Sequence, residues 1–236
     1  MQFFPGIFSG ISGDFTQFLL SLPVILLALT FHEAAHGFAA YKLGDPTARN
    51  FGRLTLNPLK HLDLIGTLMM VLFHFGWAKP VPVNARYFKK PRRDMALTAA
   101  AGPAANLLLG FAGLLLYSVY ITVMVKTGLA EKAMSSPFAA TLINRAAQML
   151  SMLFSLNISL GIFNLIPIPP LDGSRLFYIF LPPKLYWGIM RYERYIQIAL
   201  MAALWFGLFN GVLNFLVGGV MDGMIWIVSK IPFLLI

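Results

Sequence analysis

Long apolar runs, separated by short loops rich in lysine and arginine, set the strongest limit on how this 236-residue chain can fold. Between Met1 and Phe31 the only charged residue is Asp14. Several runs approach or exceed the ~20 residues that a helix needs to cross the hydrocarbon core of a bilayer. Hydrophobic residues make up 58% of the chain and charged residues 11%, with a mean hydropathy of +0.74, unlike a soluble globular domain. The sequence therefore predicts an integral membrane protein.

We expect an all-α polytopic membrane protein with about five to six transmembrane or re-entrant helical segments and a small extended element on the cytoplasmic side. Pro23 is expected to bend the first helix. We predict one integral-membrane domain over 1–236, with its core in 15–180 and C-terminal helices in 195–236. The apolar segments are 15–41, 62–78, 94–125, 139–166 and 195–217, followed by an apolar but interrupted tail, 218–236.

The basic residues predict an orientation in the cell (plasma or inner) membrane. Most of them lie in 42–60, 79–93 and 167–194, and the positive-inside rule assigns these loops to the cytoplasm and the N-terminus to the other face. Segment 62–78 has basic flanks on both sides and is short, so we expect it to be re-entrant. Residues 80–88 carry prolines at alternate positions, which favours either an extended edge or a stiff connector.

The sequence His32-Glu33-Ala34-Ala35-His36 ends the first apolar run. Such polar groups are costly in a bilayer and mark a functional site by default. Residues i and i+4 of a helix project from one face, so His32 and His36 can hold one metal ion, and Glu33 can reach a water on it. This pattern is typical of zinc metalloproteases, although a membrane histidine can also serve packing alone.

A third ligand is expected in Asn164-Leu-Ile-Pro-Ile-Pro-Pro-Leu-Asp172-Gly173. The chain contains no cysteine, so a metal must be held by nitrogen and oxygen atoms. Three prolines in four residues end the preceding helix near Ile166, and we expect Gly173 to let the chain turn. The predicted topology puts Asp172 on the cytoplasmic face, where the helix bearing the two histidines also ends. The other histidines, His61 and His74, are expected to be structural.

These two motifs together resemble the site-2 protease family of intramembrane zinc metalloproteases (peptidase family M50). The segments 56–63, 76–84 and 101–106 are also similar to its compact prokaryotic branch, and the likeness covers roughly 20–180. Members of that branch lack PDZ and CBS domains, and we expect neither domain in this chain.

The resemblance implies one zinc ion per chain, held by His32, His36 and Asp172, with Glu33 as general base. It also suggests Asn106 and Asn164 as donors to the oxyanion, while hydrogen bonding between helices is an equally open role for both.

The implied substrates are membrane proteins with a single transmembrane helix that enter laterally from the lipid bilayer and add to the 80–88 edge. Nucleic acid is not expected as a partner, because the basic residues lie in short loops beside membrane spans. A metal-ion transporter and an inactive membrane scaffold remain as alternatives. The Glu33→Gln substitution separates them, since only proteolysis requires a general base.

Overall fold

A computed structural model describes residues 15–73 and 78–235, and the part of the chain it describes is helical, without a β-strand. The all-α class predicted from the sequence is confirmed. The helices are α1 (Phe15–Lys42), α2 (Thr47–Asn50), α3 (Leu64–Phe73), α4 (Pro91–Lys126), α5 (Leu129–Met134), α6 (Pro137–Asn164), α7 (Asp172–Phe177), α8 (Pro183–Arg191), α9 (Glu193–Trp205) and α10 (Asn210–Ser229).

Four of the described helices, α1, α4, α6 and α10, are long and apolar enough to cross a membrane. Proline occupies the first turn of both α4 and α6, where its missing N–H leaves no helical hydrogen bond unmade. Pro23 lies inside α1, which continues through it. The ten residues of α3 extend only about 15 Å, too short for a crossing. The expected total of five to six segments stays a prediction.

The membrane-spanning helices pack around α4, which contacts both α1 and α6, while α1 and α6 also touch each other. Leu114 of α4 and Ile158 of α6 belong to one buried cluster with Leu213 of α10. Phe18 of α1 and Leu156 of α6 belong to a second cluster. These contacts fix the first, fourth and sixth helices as one bundle.

The prediction of a single apolar segment over 195–217 is wrong. Helix α9 ends at Trp205, and α10 begins at Asn210. Gly207 has a φ of +71°, in the left-handed region that favours glycine, and its N–H donates to Leu204 O at 3.0 Å. The chain therefore turns at Gly207, and the spanning helix comes from the following residues, including most of the tail.

The ends of segment 62–78 lie side by side. An isolated antiparallel β-bridge joins Leu62 and Ala78, and the Lys79 N–H donates to His61 O at 2.8 Å. This arrangement fits a segment that enters and leaves on one side, but its place in a membrane stays a prediction. Residues 79–84 form neither helix nor strand and lead into a 3₁₀ turn at Ala85–Tyr87, which lies inside the predicted 80–88 edge. The extended element stays a prediction. His74 lies outside the described residues.

Candidate metal centre

Helix α1 directs His32 and His36 to the same point, as their i, i+4 spacing requires. Their Nε2 atoms lie 3.0 Å apart, and the two rings meet edge to face with centroids 4.6 Å apart. Both residues are buried, with 6% and 9% of their surface exposed. Two imidazole nitrogens are therefore concentrated at one buried position.

Asp172 reaches the same position from the far end of the fold. Helix α6 ends at Asn164, close to the predicted break, and the proline-rich turn leads directly into α7, whose first residue is Asp172. The Asp172 Oδ2 atom lies 3.0 Å from His32 Nε2 and 3.2 Å from His36 Nε2. The structure thus brings together the three residues that the sequence suggested as ligands.

Gly173 does not free the chain to turn, as we expected from the sequence, because it lies within α7 and has no positive φ. The glycine is needed instead for a close approach. A Cβ at this position would lie 2.2 Å from Leu165 O and 2.5 Å from Ile166 O. Only a residue without a side chain lets α7 pack against the end of α6, and this packing places Asp172 beside the two histidines.

The three candidate ligand atoms fit a zinc ion. Their separations of 3.0, 3.0 and 3.2 Å define a nearly equilateral triangle. Ligands about 2.0–2.1 Å from a tetrahedral zinc are about 3.3 Å from one another. Two neutral imidazoles and a carboxylate are also a donor set that zinc uses. Three protein ligands leave the fourth position for water, as at catalytic zinc sites.

Helix α4 supplies the support behind the histidines. A Cβ on Gly102 would lie 2.4 Å from His36 Nε2 and 2.7 Å from His32 Cε1, so both rings lie against bare backbone. One turn earlier, Thr98 O is 2.7 Å from His36 Nδ1. A carbonyl only accepts, so Nδ1 carries the proton and Nε2 keeps its lone pair for a metal.

When the Nε2 atoms of His32 and His36 carry protons instead of a metal ion, they hold the Asp172 carboxyl in its charged form. Burial acts to raise the pKa of Asp172, but hydrogen bonds and charge interactions with His32 and His36 outweigh it. The net effect places the pKa well below the usual range of an aspartate.

Glu33 contacts the segment 79–84, which precedes the 3₁₀ turn. Its Oε2 accepts a hydrogen bond from the Val81 N–H at 2.9 Å. The sequence did not predict this contact. The glutamate therefore lines the same cavity as the three candidate ligands and is bonded to the backbone of segment 79–84.

Two buried charged side chains hold the segment 79–84 in place. Arg53 donates to the carbonyl oxygens of Lys79 and Pro80, the latter at 3.3 Å. Asp45, which is fully buried, accepts from the Asn84 N–H at 2.6 Å. The segment is thus held at both ends, and its position next to Glu33 does not depend on a β-sheet.

A cavity of about 230 Å³ opens at the centre, lined among others by the three candidate ligands, Glu33, Val83, Asn164 and Arg175. The Asn164 amide donates to Leu160 O at 2.9 Å, within its own helix. Asn106 is fully buried and does not line this cavity, and neither of its side-chain polar atoms has a hydrogen-bond partner among the described residues. Their catalytic roles stay predictions.

Arg175 was not predicted from the sequence to be a residue of this site. Its three-residue spacing from Asp172 on a short helix was the available signal, since such residues share a face. His61 lies apart from the cluster, and its Nε2 is 2.9 Å from Thr55 O. That contact agrees with the structural role expected for His61.

Comparison with known proteins agrees with this geometry. The sequence profile of Peptidase family M50 matches residues 18–204. A protein of Bacillus subtilis (strain 168) named "Putative zinc metalloprotease YwhC" is 45% identical over 159 residues, or 67% of this chain and 68% of that protein. A Mycolicibacterium smegmatis protein named "Putative zinc metalloprotease Rip2" is 32% identical over 164 residues, or 66% of this chain and 55% of that protein.

A Mycobacterium tuberculosis (strain H37Rv) protein with the same Rip2 name is 29% identical over 162 residues. The chain spans about two thirds of the Bacillus protein and a little over half of the two Rip2 proteins. No solved structure matches the chain significantly.

Proposed function

The chain belongs to peptidase family M50, and on this premise we propose that it is a site-2-type zinc metalloprotease that hydrolyses peptide bonds in or near the transmembrane segments of membrane proteins. The observation that carries the proposal is the triangle of His32 Nε2, His36 Nε2 and Asp172 Oδ2 beside Glu33. These three residues would hold one zinc ion per chain. When bound, zinc acts as a Lewis acid that lowers the pKa of water and polarises a peptide carbonyl.

Glu33 serves as the general base and then as the general acid. The Val81 N–H engages Oε2 and so orients the carboxylate, which leaves Oε1 to take a proton from the attacking water. The same carboxyl then gives this proton to the nitrogen of the leaving amine. An aspartate could not replace Glu33, because its shorter side chain would not span the distance from α1 to segment 79–84.

Two side chains that line the cavity can stabilise the negative charge that develops on the carbonyl oxygen. Asn164 offers a neutral amide donor, and Arg175 offers a positively charged one. Asn106 retains the role suggested by its motif only if the helices rearrange when substrate binds, because it does not line this cavity.

The segment 79–84 provides an edge for the substrate. Alternate residues of an extended chain present their N–H groups to one edge, so Val81 and Val83 face the same way. The Val81 N–H is used by Glu33, whereas the described residues provide no partner for the Val83 N–H. Substrate strands pair with this edge through Val83.

The substrates are membrane proteins with a single transmembrane helix that enter from the bilayer. A helix with its backbone fully hydrogen-bonded is a poor substrate, so the cleaved segment must unwind. The basic loops favour a cytoplasmic active site and an extracytoplasmic N-terminus.

The deciding experiment compares Glu33→Gln with Asp172→Ala in the purified protein. We expect about one zinc per chain in wild type and in Glu33→Gln, with cleavage of a transmembrane substrate reduced at least ~10²-fold in that variant. Asp172→Ala should lose zinc and activity together.

Proteolysis by Glu33→Gln at the wild-type rate would refute the proposal. Metal-dependent transport that survives in this variant would identify the chain as a transporter instead.

A further inference from the structure

A second cavity, of about 530 Å³, lies between α1, α4 and α6, away from the metal centre. Its polar lining comes mainly from α6, with Gln148, Ser151, Ser155 and Ser159, while α1 contributes Gln17 and Ser21. Its volume lies in the range of ligand-binding pockets. The mechanism of peptide hydrolysis makes no use of these residues.

The α6 residues form a continuous polar stripe, because spacings of three and four place 148, 151, 155 and 159 on one face of the helix. Ser159 is only 6% exposed and lines the cavity. At the other end, Gln148 and Ser151 are exposed on a helix apolar enough to span a membrane. Polar side chains at such depth face water or a polar ligand rather than lipid.

The cleft carries no charged lining residue, and its groups are neutral amides and hydroxyls. Arg145, beside it on α6, donates to the Gln148 side chain at 3.1 Å. The lining suits a neutral ligand that both donates and accepts hydrogen bonds. A peptide group has this chemistry, and so do asparagine and serine side chains.

The cleft and the metal centre lie on one face of α1. Ser21 and His32 are eleven residues apart, which is three helical turns and about 16 Å along the axis. Between them on α1, Ile25 and Ala28 belong to a buried apolar cluster. An extended chain covers this distance in about five residues.

We propose that this cleft is a second substrate-binding site, which hydrogen-bonds neutral polar groups of the membrane-embedded segment at least about five residues from the scissile bond. The inference rests on the proposed function. A transmembrane segment that unwinds for cleavage exposes peptide groups that need partners inside the membrane. The amides and hydroxyls of the cleft provide such partners where the metal centre does not reach.

The first test uses proteoliposomes and two transmembrane substrates that differ only at positions five to eight from the cleaved bond, where one carries Asn-Gly and the other Leu-Leu. We expect wild type to cleave the polar substrate at least five times faster. In the triple variant Ser151→Ala, Ser155→Ala, Ser159→Ala this ratio should fall towards one. Ser118→Ala is the matched control, since Ser118 is buried on α4 and its hydroxyl donates to Leu114 O at 2.9 Å within its own helix.

A ratio that persists in the triple variant would overturn the proposal, as would a wild-type ratio of one. If wild type cleaves neither substrate, the proposed function itself has failed, and a second measurement still decides the inference. The chain lacks cysteine, so single cysteines can be labelled without background.

The second test compares Ser155→Cys with Leu108→Cys, which replaces an exposed apolar residue of the spanning helix α4. A charged thiol reagent that does not cross membranes should label the cleft position at least ten times faster. A membrane-embedded peptide that carries Asn-Gly should slow this labelling, and its Leu-Leu counterpart should not. Equal labelling rates at the two positions, or no protection by the polar peptide, would refute the second site.

Discussion

Replacing Gly102 with alanine tests whether bare backbone on α4 is what holds the two histidines in place. The new Cβ would lie 2.4 Å from His36 Nε2, whereas ordinary contact begins at 3.4 Å, so the ring must move by about 1 Å. Moving α4 away instead gives no relief, since Thr98 O on the same helix holds His36 Nδ1. Catalytic groups tolerate displacements of about 0.5 Å. A 1 Å misplacement lowers activity about 10²-fold.

The assay is a zinc titration against a chelating indicator, followed by cleavage of a transmembrane substrate. We expect zinc affinity about 10- to 100-fold lower in Gly102→Ala, as when the partners that orient metal ligands are lost. Gly110→Ala is the control on the same helix, since its Cβ would meet Ile158 Cδ1 at 2.6 Å, far from the metal. That variant should lose stability but keep its zinc affinity. Wild-type zinc affinity and cleavage in Gly102→Ala would refute the support assigned to α4.

Four further substitutions test the cavity and its walls. Val83→Pro removes the N–H offered to substrate and should raise KM, whereas Val81→Pro removes the N–H that orients the general base and should lower kcat. Steady-state kinetics measure KM and kcat separately. The same change in KM and kcat in both variants would contradict the roles assigned to the two N–H groups. Asn164→Ala should lower kcat about 10²-fold at unchanged zinc content, if its amide donates to the oxyanion. Gly173→Ala would place a Cβ 2.2 Å from Leu165 O. Metal analysis should therefore show loss of zinc, and thermal unfolding should show a lower melting temperature. A wild-type melting temperature would contradict the close packing of α7 against the end of α6.

The two histidines and Asp172 could be found from the sequence for different reasons. The pairing of His32 with His36 is local, because helical geometry alone puts residues four apart on one face. Asp172 is 136 residues from His36, and it was found because a broken helix and the basic loops placed it at the same end of the bundle. Asn164 lines the cavity as its position at that break suggests, whereas Asn106 does not.

The contacts that orient these groups could not be predicted in the same way. Helix α4 is apolar around much of its circumference, so no hydrophobic stripe shows which face meets α1. Gly102 and Thr98 therefore gave no signal of their own. The alternating prolines indicated an extended segment, but the contact between Val81 and Glu33 depends on Arg53 and Asp45 anchoring its ends.

The separation of the candidate ligands along the chain also sets a minimum time for assembly of the metal centre during biosynthesis. At roughly 5–20 residues per second, a ribosome needs roughly 7–27 s to proceed from His36 to Asp172, a distance of 136 residues. During this interval α1 can already be in the membrane with its two histidines, next to other newly inserted helices. The nascent protease cannot assemble its centre until α6 and the following turn have emerged. Hydrolysis at this centre therefore cannot begin before Asp172 has been added to the polypeptide.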